Sequence, residues 1–288
     1  MISQVFAQYL VNKGLLTPAE IQEALESRRT VQAKLGVVAI NQGYLTAEQV
    51  EEIHQLQFRI DKRFGEIAVS EHYLSQEQLA ALLAEQGNDY LNFGQALVDK
   101  GFLSLETLEN VIAAYKQAAE LEQPSDLLLS KEWLFQYLSF AKADEDAVLY
   151  CDYVALFLRA IVRFLDASPL LVAAEAGEAK ERWAACQSMT GDITLHSCLW
   201  VEDNVLLEIA SRYSGERMSE INELALDSMG EFLNVANGLF CINLSNLGLD
   251  SDLHPQSVEK RDTLGTELGC QVVIDTGFGT MTLVLGRQ

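Results

Sequence analysis

Four times in the first 118 residues, apolar positions at helical spacing are interrupted by a short polar turn, and the interruptions fall 29 residues apart, at Gly14, Gly43, His72 and Gly101. The four copies read FAQYLVNKGLLTPAEIQEAL, LGVVAINQGYLTAEQVEEIH, FGEIAVSEHYLSQEQLAALL and FGQALVDKGFLSLETLENVI. Thr17, Thr46, Ser75 and Ser104 hold the same place in each, followed three residues later by Glu20, Gln49, Gln78 and Thr107. The first three pairs are capping boxes, in which a hydroxyl caps the helix and the Glu or Gln reaches back. Apolar pairs then recur at helical spacing: Ile21 and Leu25, Val50 and Ile53, Leu79 and Leu83, Leu108 and Ile112. The glycine before the cap, in the three copies that have one, ends a short preceding helix. Residues 1–118 are therefore expected to be an all-α array of stacked helix–turn–helix repeats, each burying its apolar face on the next.

The pattern changes beyond residue 118. Pro124, Ser125 and Asp126 break the helical period, and the cluster AKADEDA is polar, so residues 119–147 are expected to be a connector. Within it, Lys131 to Phe140 fits either a short helix or an extended segment. A strongly apolar helix is predicted over Val148 to Phe164. Strand-like runs follow at Leu170 to Ala173, Trp183 to Ser188 and Ile193 to Leu199, with Thr190-Gly191-Asp192 as a turn. Asp203 is the expected cap of a helix over Val205 to Tyr213, ended by Ser214-Gly215, and a long helix begins near Met218. NLGLDSDLHPQSV reads as a loop, and the chain closes on a hairpin, Cys270 to Ile274 and Met281 to Leu285. Residues 148–288 thus form an expected α+β domain, and the whole is multi-domain.

The long helix carries the most informative residues. Asp227, Glu231, Asn234 and Gly238 are spaced D-x3-E-x2-N-x3-G. At about 100° per residue these steps return to nearly one helix face. Met218, Ile221, Ala225, Met229, Phe232, Leu233, Ala236, Leu239 and Phe240 fall opposite. Gly230 lies near the edge of the polar stripe. An interior glycine costs about 1 kcal/mol relative to alanine, and on an outward face it suits a site where another backbone comes close.

Composition narrows the classes. The 288 residues suit two domains with real cores, 49% of positions being apolar. Net charge is −22: residues 1–118 hold 9 basic and 15 acidic side chains, and the remainder 11 and 27. Such a field excludes nucleic acid and anionic membranes as partners and suits a basic docking face. The longest apolar runs are too short and too interrupted to span a bilayer, and the first residues lack the pattern of a secretory signal, so no membrane insertion is expected. Five widely spaced cysteines, at 151, 186, 198, 241 and 270, are expected to be buried free thiols of a cytoplasmic protein. His54, His72, His196 and His254 lack metal-ligand spacing, so no metal site is expected. There is no P-loop and no GxGxxG.

Two resemblances attach to these residues. The middle helical copies resemble the tandem motif at the N-terminus of GspE/MshE-type secretion ATPases, some of which bind cyclic di-GMP. The opening Arg-Leu-Gly of that motif stands here as Lys34-Leu35-Gly36 and Arg63-Phe64-Gly65. The resemblance implies cyclic di-GMP as a ligand at these six positions, the cation meeting phosphate or guanine and the glycine admitting the backbone. Lys34 lacks the planar fork of arginine, His54 stands where an apolar residue is expected, and the outer copies open with Val5 and Asn92.

The second resemblance covers residues 148–288. The order strand–TGD–strand–helix–SGE–helix, with D-x3-E-x2-N-x3-G on the last helix, resembles the CheC/CheX/FliY chemotaxis phosphatases. The helix at 148–164 has no E-x2-N, so the likeness is to the single-motif CheX type. It implies hydrolysis of the aspartyl-phosphate of a response-regulator receiver domain. Asn234 would position the attacking water, Glu231 would pair with a receiver lysine, and Asp227 and Gly238 would sit at the docking face. No cofactor of its own is implied: Mg²⁺ belongs to the receiver. The resemblance also implies a homodimer. The alternative is a non-enzymatic adaptor that binds a receiver or dimerises, responsive to cyclic di-GMP through the repeats.

Overall fold

The computed structural model of the chain describes residues 2–121, 134–135, 137–140, 146–173, 182–262 and 269–287. The chain divides into two compact units, Met1–Leu127 and Leu128–Gln288.

Eight helices make up the described part of the first unit: α1 (Ile2–Asn12), α2 (Pro18–Ser27), α3 (Leu35–Gln42), α4 (Ala47–Gln57), α5 (Phe64–Ser70), α6 (Gln76–Glu85), α7 (Asp89–Asp99) and α8 (Leu105–Leu121). The hydroxyls of Thr17, Thr46 and Ser75 accept from the N–H of Glu20, Gln49 and Gln78, whose side chains accept from the cap N–H in return. At the fourth cap the Ser104 hydroxyl accepts from the Thr107 N–H at 3.1 Å. Gly14, Gly43 and Gly101 turn the chain at φ of 63°, 70° and 74°, and His72 takes φ 63° at the same kind of turn. A side chain pays about 1–2 kcal/mol for that left-handed conformation.

The helices do not simply meet their sequence neighbours. α7 packs against α1, α2, α3 and α8. The Phe6 ring lies edge-on to Tyr90 and Tyr115, with centroids 5.2 and 5.1 Å away. The expected linear stack is therefore closed on itself, because aromatic residues at the beginning and end of the unit share one core.

The second unit is a helical layer on one antiparallel sheet. Its elements are β1 (Ser139–Phe140), α9 (Ala147–Leu165), β2 (Leu170–Val172), β3 (Arg182–Gly191), β4 (Leu195–Val201), α10 (Asp203–Ser214), α11 (Glu223–Asn246), β5 (Ser251–Leu253), β6 (Ser257–Arg261), β7 (Cys270–Asp275) and β8 (Thr280–Gly286). The main path runs β1-β7-β8-β4-β3-β5, with β2 also on β7 and β6 also on β3. α9 and α11 meet through edge-to-face rings, Tyr153 on Phe240 at 5.1 Å and Phe157 on Phe232 at 5.6 Å.

Four expectations are corrected here. The stretch read as the loop NLGLDSDLHPQSV contains β5 and the start of β6, which pair with the long edge of β3 and so cover backbone groups that would otherwise be open. Glu202, not Asp203, is the N-cap of α10, while the Asp203 carboxylate accepts from the Trp183 indole N–H at 3.0 Å. The long helix starts at Glu223, where the Asn222 side chain accepts from the Ala225 N–H. Within the expected connector, Leu134 and Leu138 are buried in the second unit's core, and Ser139–Phe140 joins the sheet. The clusters around Pro124 and AKADE lie outside the described residues.

Candidate functional site

Residues on one side of β3 and β4 face the helices, and alternation sets which. Ala185, Met189, Leu195 and Leu199 are apolar and belong to the core under α11. Gln187 and Ser197 interrupt that row, and they are cross-strand partners. Both are buried, as is Asn237, which stands on the inward face of α11 among Leu233, Ala236 and Phe240. A buried polar group without a partner costs more than a satisfied one contributes, and here the partners form a directional chain. The Tyr153 hydroxyl donates to Asn237 Oδ1. Asn237 Nδ2 donates to Gln187 Oε1 at 2.7 Å. Gln187 Nε2 donates to Asn234 Oδ1 and to the His254 carbonyl, both at 2.8 Å. Asn234 Nδ2 donates to Glu231 Oε2 at 3.3 Å, and Gln256 Nε2 donates to Glu231 Oε1 at 2.7 Å. Since a carboxylate only accepts, the direction of every amide is fixed back to the buried phenol. Burial pushes the Tyr153 hydroxyl's pKa well up, so it stays a donor. Burial, with the Glu231 charge nearby, also raises that of Tyr213.

The predicted stripe therefore presents Glu231 exposed and Asn234 half-buried, each anchored from behind. Asp227 is exposed on the same face. A Cβ placed on Gly238 would meet nothing within 4 Å. Gly230 differs: a Cβ there would lie 3.2 Å from Gln256 Cγ and Val258 Cγ2, so this glycine serves the chain's own packing. Leu224 and Ile242, 52% and 58% exposed, flank the stripe at either end. Gln187, Asn237, Tyr153 and Gln256 were not anticipated. The signal was available for Asn237, an amide on the apolar face of a helix.

Lys34 and Arg63 stand in extended conformation immediately before α3 and α5. Lys34 Nζ is 2.8 Å from Asp99 Oδ1, and the Arg63 N–H donates to the Glu66 carboxylate at 3.0 Å. Leu35 and Phe64 open the two helices, the Phe64 ring lying edge-on to His54 at 5.4 Å. Gly36 and Gly65 are closed off by their own unit: a Cβ on either would fall 2.6 Å from Val50 Cγ1 or Leu79 Cδ1.

The expectation of five free thiols is corrected. Cys186 and Cys198, cross-strand partners on the sheet face away from α11, form a disulfide, while Cys151, Cys241 and Cys270 remain thiols. His196 lies beside them and completes a cluster of three metal-competent side chains, the expectation of no metal-ligand set notwithstanding.

No helix of the described residues is long and apolar enough to cross a membrane. Comparison with curated proteins returns no match. Among solved structures, CheX from Vibrio vulnificus is similar at 17% identity, covering 47% of this chain and 96% of that one, TM-score 0.41. CheX from Desulfovibrio desulfuricans is similar at 14% identity, 47% and 96% coverage and TM-score 0.40. The CheX–CheY–BeF3–Mg complex from Borrelia burgdorferi is similar at 16% identity, 48% and 99% coverage and TM-score 0.37. Residues 183–274, which span β3 through most of β7 and include the whole anchored stripe, match the family model described as Chemotaxis phosphatase CheX.

Proposed function

We propose that the second unit hydrolyses the aspartyl-phosphate of a response-regulator receiver domain in chemotaxis signalling. The observation that carries this reading is the Glu231–Asn234 pair, held on an exposed helix face at the end of a buried amide chain. The match of residues 183–274 to the CheX family model supports it.

The reaction is RCO–OPO3²⁻ + H2O → RCOO⁻ + H2PO4⁻. Such phosphoryl transfer depends mainly on positioning and charge, with little need of a strong base. The receiver brings the phosphorylated carboxylate and its divalent cation, so this chain has one task, to place a water in line with the scissile P–O bond. An amide has four hydrogen-bonding sites, two on oxygen and two on nitrogen. Asn234 spends one of each on Gln187 and Glu231. The second lone pair of Oδ1 accepts from the water, and the second Nδ2 proton donates to it or to a phosphoryl oxygen. Glu231 keeps acceptor capacity for a receiver ammonium, which sets the docking register. Gly238 leaves room for the partner's backbone, and Leu224 and Ile242 supply apolar contact at the ends of the footprint.

The test is loss of phosphoryl label from a panel of receiver domains with Mg²⁺, comparing the native chain with Asn234→Ala. Removing one such positioned group is expected to lower turnover about 100-fold while receiver affinity stays within about threefold. A parallel fall in affinity would remove the water-positioning role. A receiver that binds without faster dephosphorylation would establish the adaptor instead.

A further inference from the structure

On the sheet face away from α11, β3 and β4 place three soft or borderline donors together. Cys186 and Cys198 are opposite each other, and His196 precedes Cys198 by two residues on the same face. One donor atom from each lies within 4.8 Å of the others. The imidazole is aimed: Nδ1 is 2.9 Å from the hydroxyl of its cross-strand partner Ser188, and Nε2 is 3.2 Å from Cys198 Sγ. Ligating histidines are typically held this way, one ring nitrogen engaged by a neighbour and the other turned to the metal. Ala184 and Trp200 are buried with the two cysteines, and Val284 packs against the group, giving it an apolar wall.

We infer that Cys186, Cys198 and His196 form a redox-gated binding site for a thiophilic divalent cation of the zinc class. The disulfide occupies two of the three donors, so the oxidised chain has no site. A dithiol reductant R′(SH)2 opens it: the protein S–S bond breaks, R′ is oxidised to its own cyclic disulfide, and two cysteine thiols result. Binding then follows 2 RSH + M²⁺ → (RS)2M + 2 H⁺, with neutral His196 Nε2 as the third ligand. In a tetrahedral zinc site, metal–sulfur bonds of about 2.3 Å and metal–nitrogen bonds of about 2.0 Å put ligand atoms roughly 3.5–3.8 Å apart. His196 Nε2 and Cys198 Sγ, 3.2 Å apart, already stand near that separation, so the main change asked is that the two bonded sulfurs part, with the strand register kept. Three ligands from one sheet face leave a fourth position for water or an incoming donor.

The site can be tested with the whole chain, reduced with dithiothreitol, freed of reductant under argon, and titrated with Co²⁺ and then Zn²⁺. The expected result is one Co²⁺ per chain, with sulfur-to-cobalt charge-transfer absorption that Zn²⁺ abolishes. Two protons are released per metal, and the oxidised chain shows no uptake. His196→Ala should weaken binding by more than about 10-fold and Ser188→Ala by about 10-fold, while Cys241→Ser leaves it unchanged. Absence of the charge-transfer band in the reduced native chain overturns the inference and leaves the pair as a cross-link. So does a band that persists in C186S/C198S, which would place the thiolates elsewhere. If that double variant fails to fold, judged by tryptophan fluorescence, His196→Ala decides: undiminished affinity overturns the site.

Discussion

Replacing Gly238 by alanine separates the needs of the chain from those of a partner. In the interior of α11 a glycine forfeits about 0.8–1.0 kcal/mol relative to alanine. The added methyl meets nothing within 4 Å, so no clash offsets the gain. Gly238→Ala is therefore expected to stabilise the second unit by about 1 kcal/mol, raising its melting temperature by roughly 2–4 °C. The measurement is clean because the chain's three tryptophans, at 133, 183 and 200, all lie in residues 128–288, so fluorescence follows that unit alone. Gly230→Ala is the control. Its methyl would press on Gln256 Cγ and Val258 Cγ2 at 3.2 Å, and overpacking costs of about 1–3 kcal/mol would cancel or exceed the helical gain. On the functional side, Gly238→Ala should lower receiver affinity at least about 10-fold, an interfacial loss of about 1.4 kcal/mol. A more stable protein that handles its receiver as before would refute the argument that Gly238 is kept for close approach. A less stable one would refute the claim that this face is open.

Gln187→Met keeps the length of the side chain but removes three hydrogen bonds and leaves Asn237 Nδ2 short of a partner. The expected cost is about 2–4 kcal/mol in urea unfolding, with a fall in turnover of about 10-fold and little change in KM. Unchanged turnover in a folded variant would show that Asn234 needs no support. Gly36→Ala forces a methyl onto the fully buried, β-branched Val50 and should destabilise the first unit by about 1–3 kcal/mol. Gly94→Ala, whose nearest neighbours are 3.8 Å away, should be neutral or stabilising by up to about 1 kcal/mol, and circular dichroism of the helices distinguishes the two. Tyr153 has a folded pKa raised above its ordinary value of 10.0. Its contribution is thus fully present below about pH 10 and is lost as pH rises from there toward the folded pKa. Unfolding from pH 8 upward should show an alkaline decline that is shallower in Tyr153→Phe, and equal slopes would contradict the assignment.

How far the sequence could carry each of these sites depended on whether the needed signal was local. Helix starts are local: a hydroxyl and a Glu or Gln three residues on suffice for Thr17, Thr46 and Ser75, and the bonds form there. The stripe on α11 is local too, since a single helical period places Asp227, Glu231, Asn234 and Gly238 together. Strands β5 and β6 were hidden because SDL and SVEKR carry one apolar residue each, and only the unpaired edge of β3 makes strands of them. Register was equally out of reach. The last β3–β4 pair is Met189 with Leu195, closing over residues 190–194, whereas the tight turn expected at Thr190-Gly191-Asp192 would shift the pairing and separate Cys186 from Cys198. Gly191 stays in β3 because β5 approaches it: a Cβ there would lie 2.3 Å from the Asp250 carbonyl. Asn237 stands between these cases. Its place among Leu233, Ala236 and Phe240 marks it as buried, and a buried amide must have partners. Naming Gln187 as one of them needed the sheet, where parity puts Gln187 and Ser197 on the helix side and Cys186, Cys198 and His196 on the other. The same two strands thus anchor the half-buried Asn234 through one face and bring Cys186, Cys198 and His196 together through the opposite one, so a change of register in β3 would dismantle both arrangements at once.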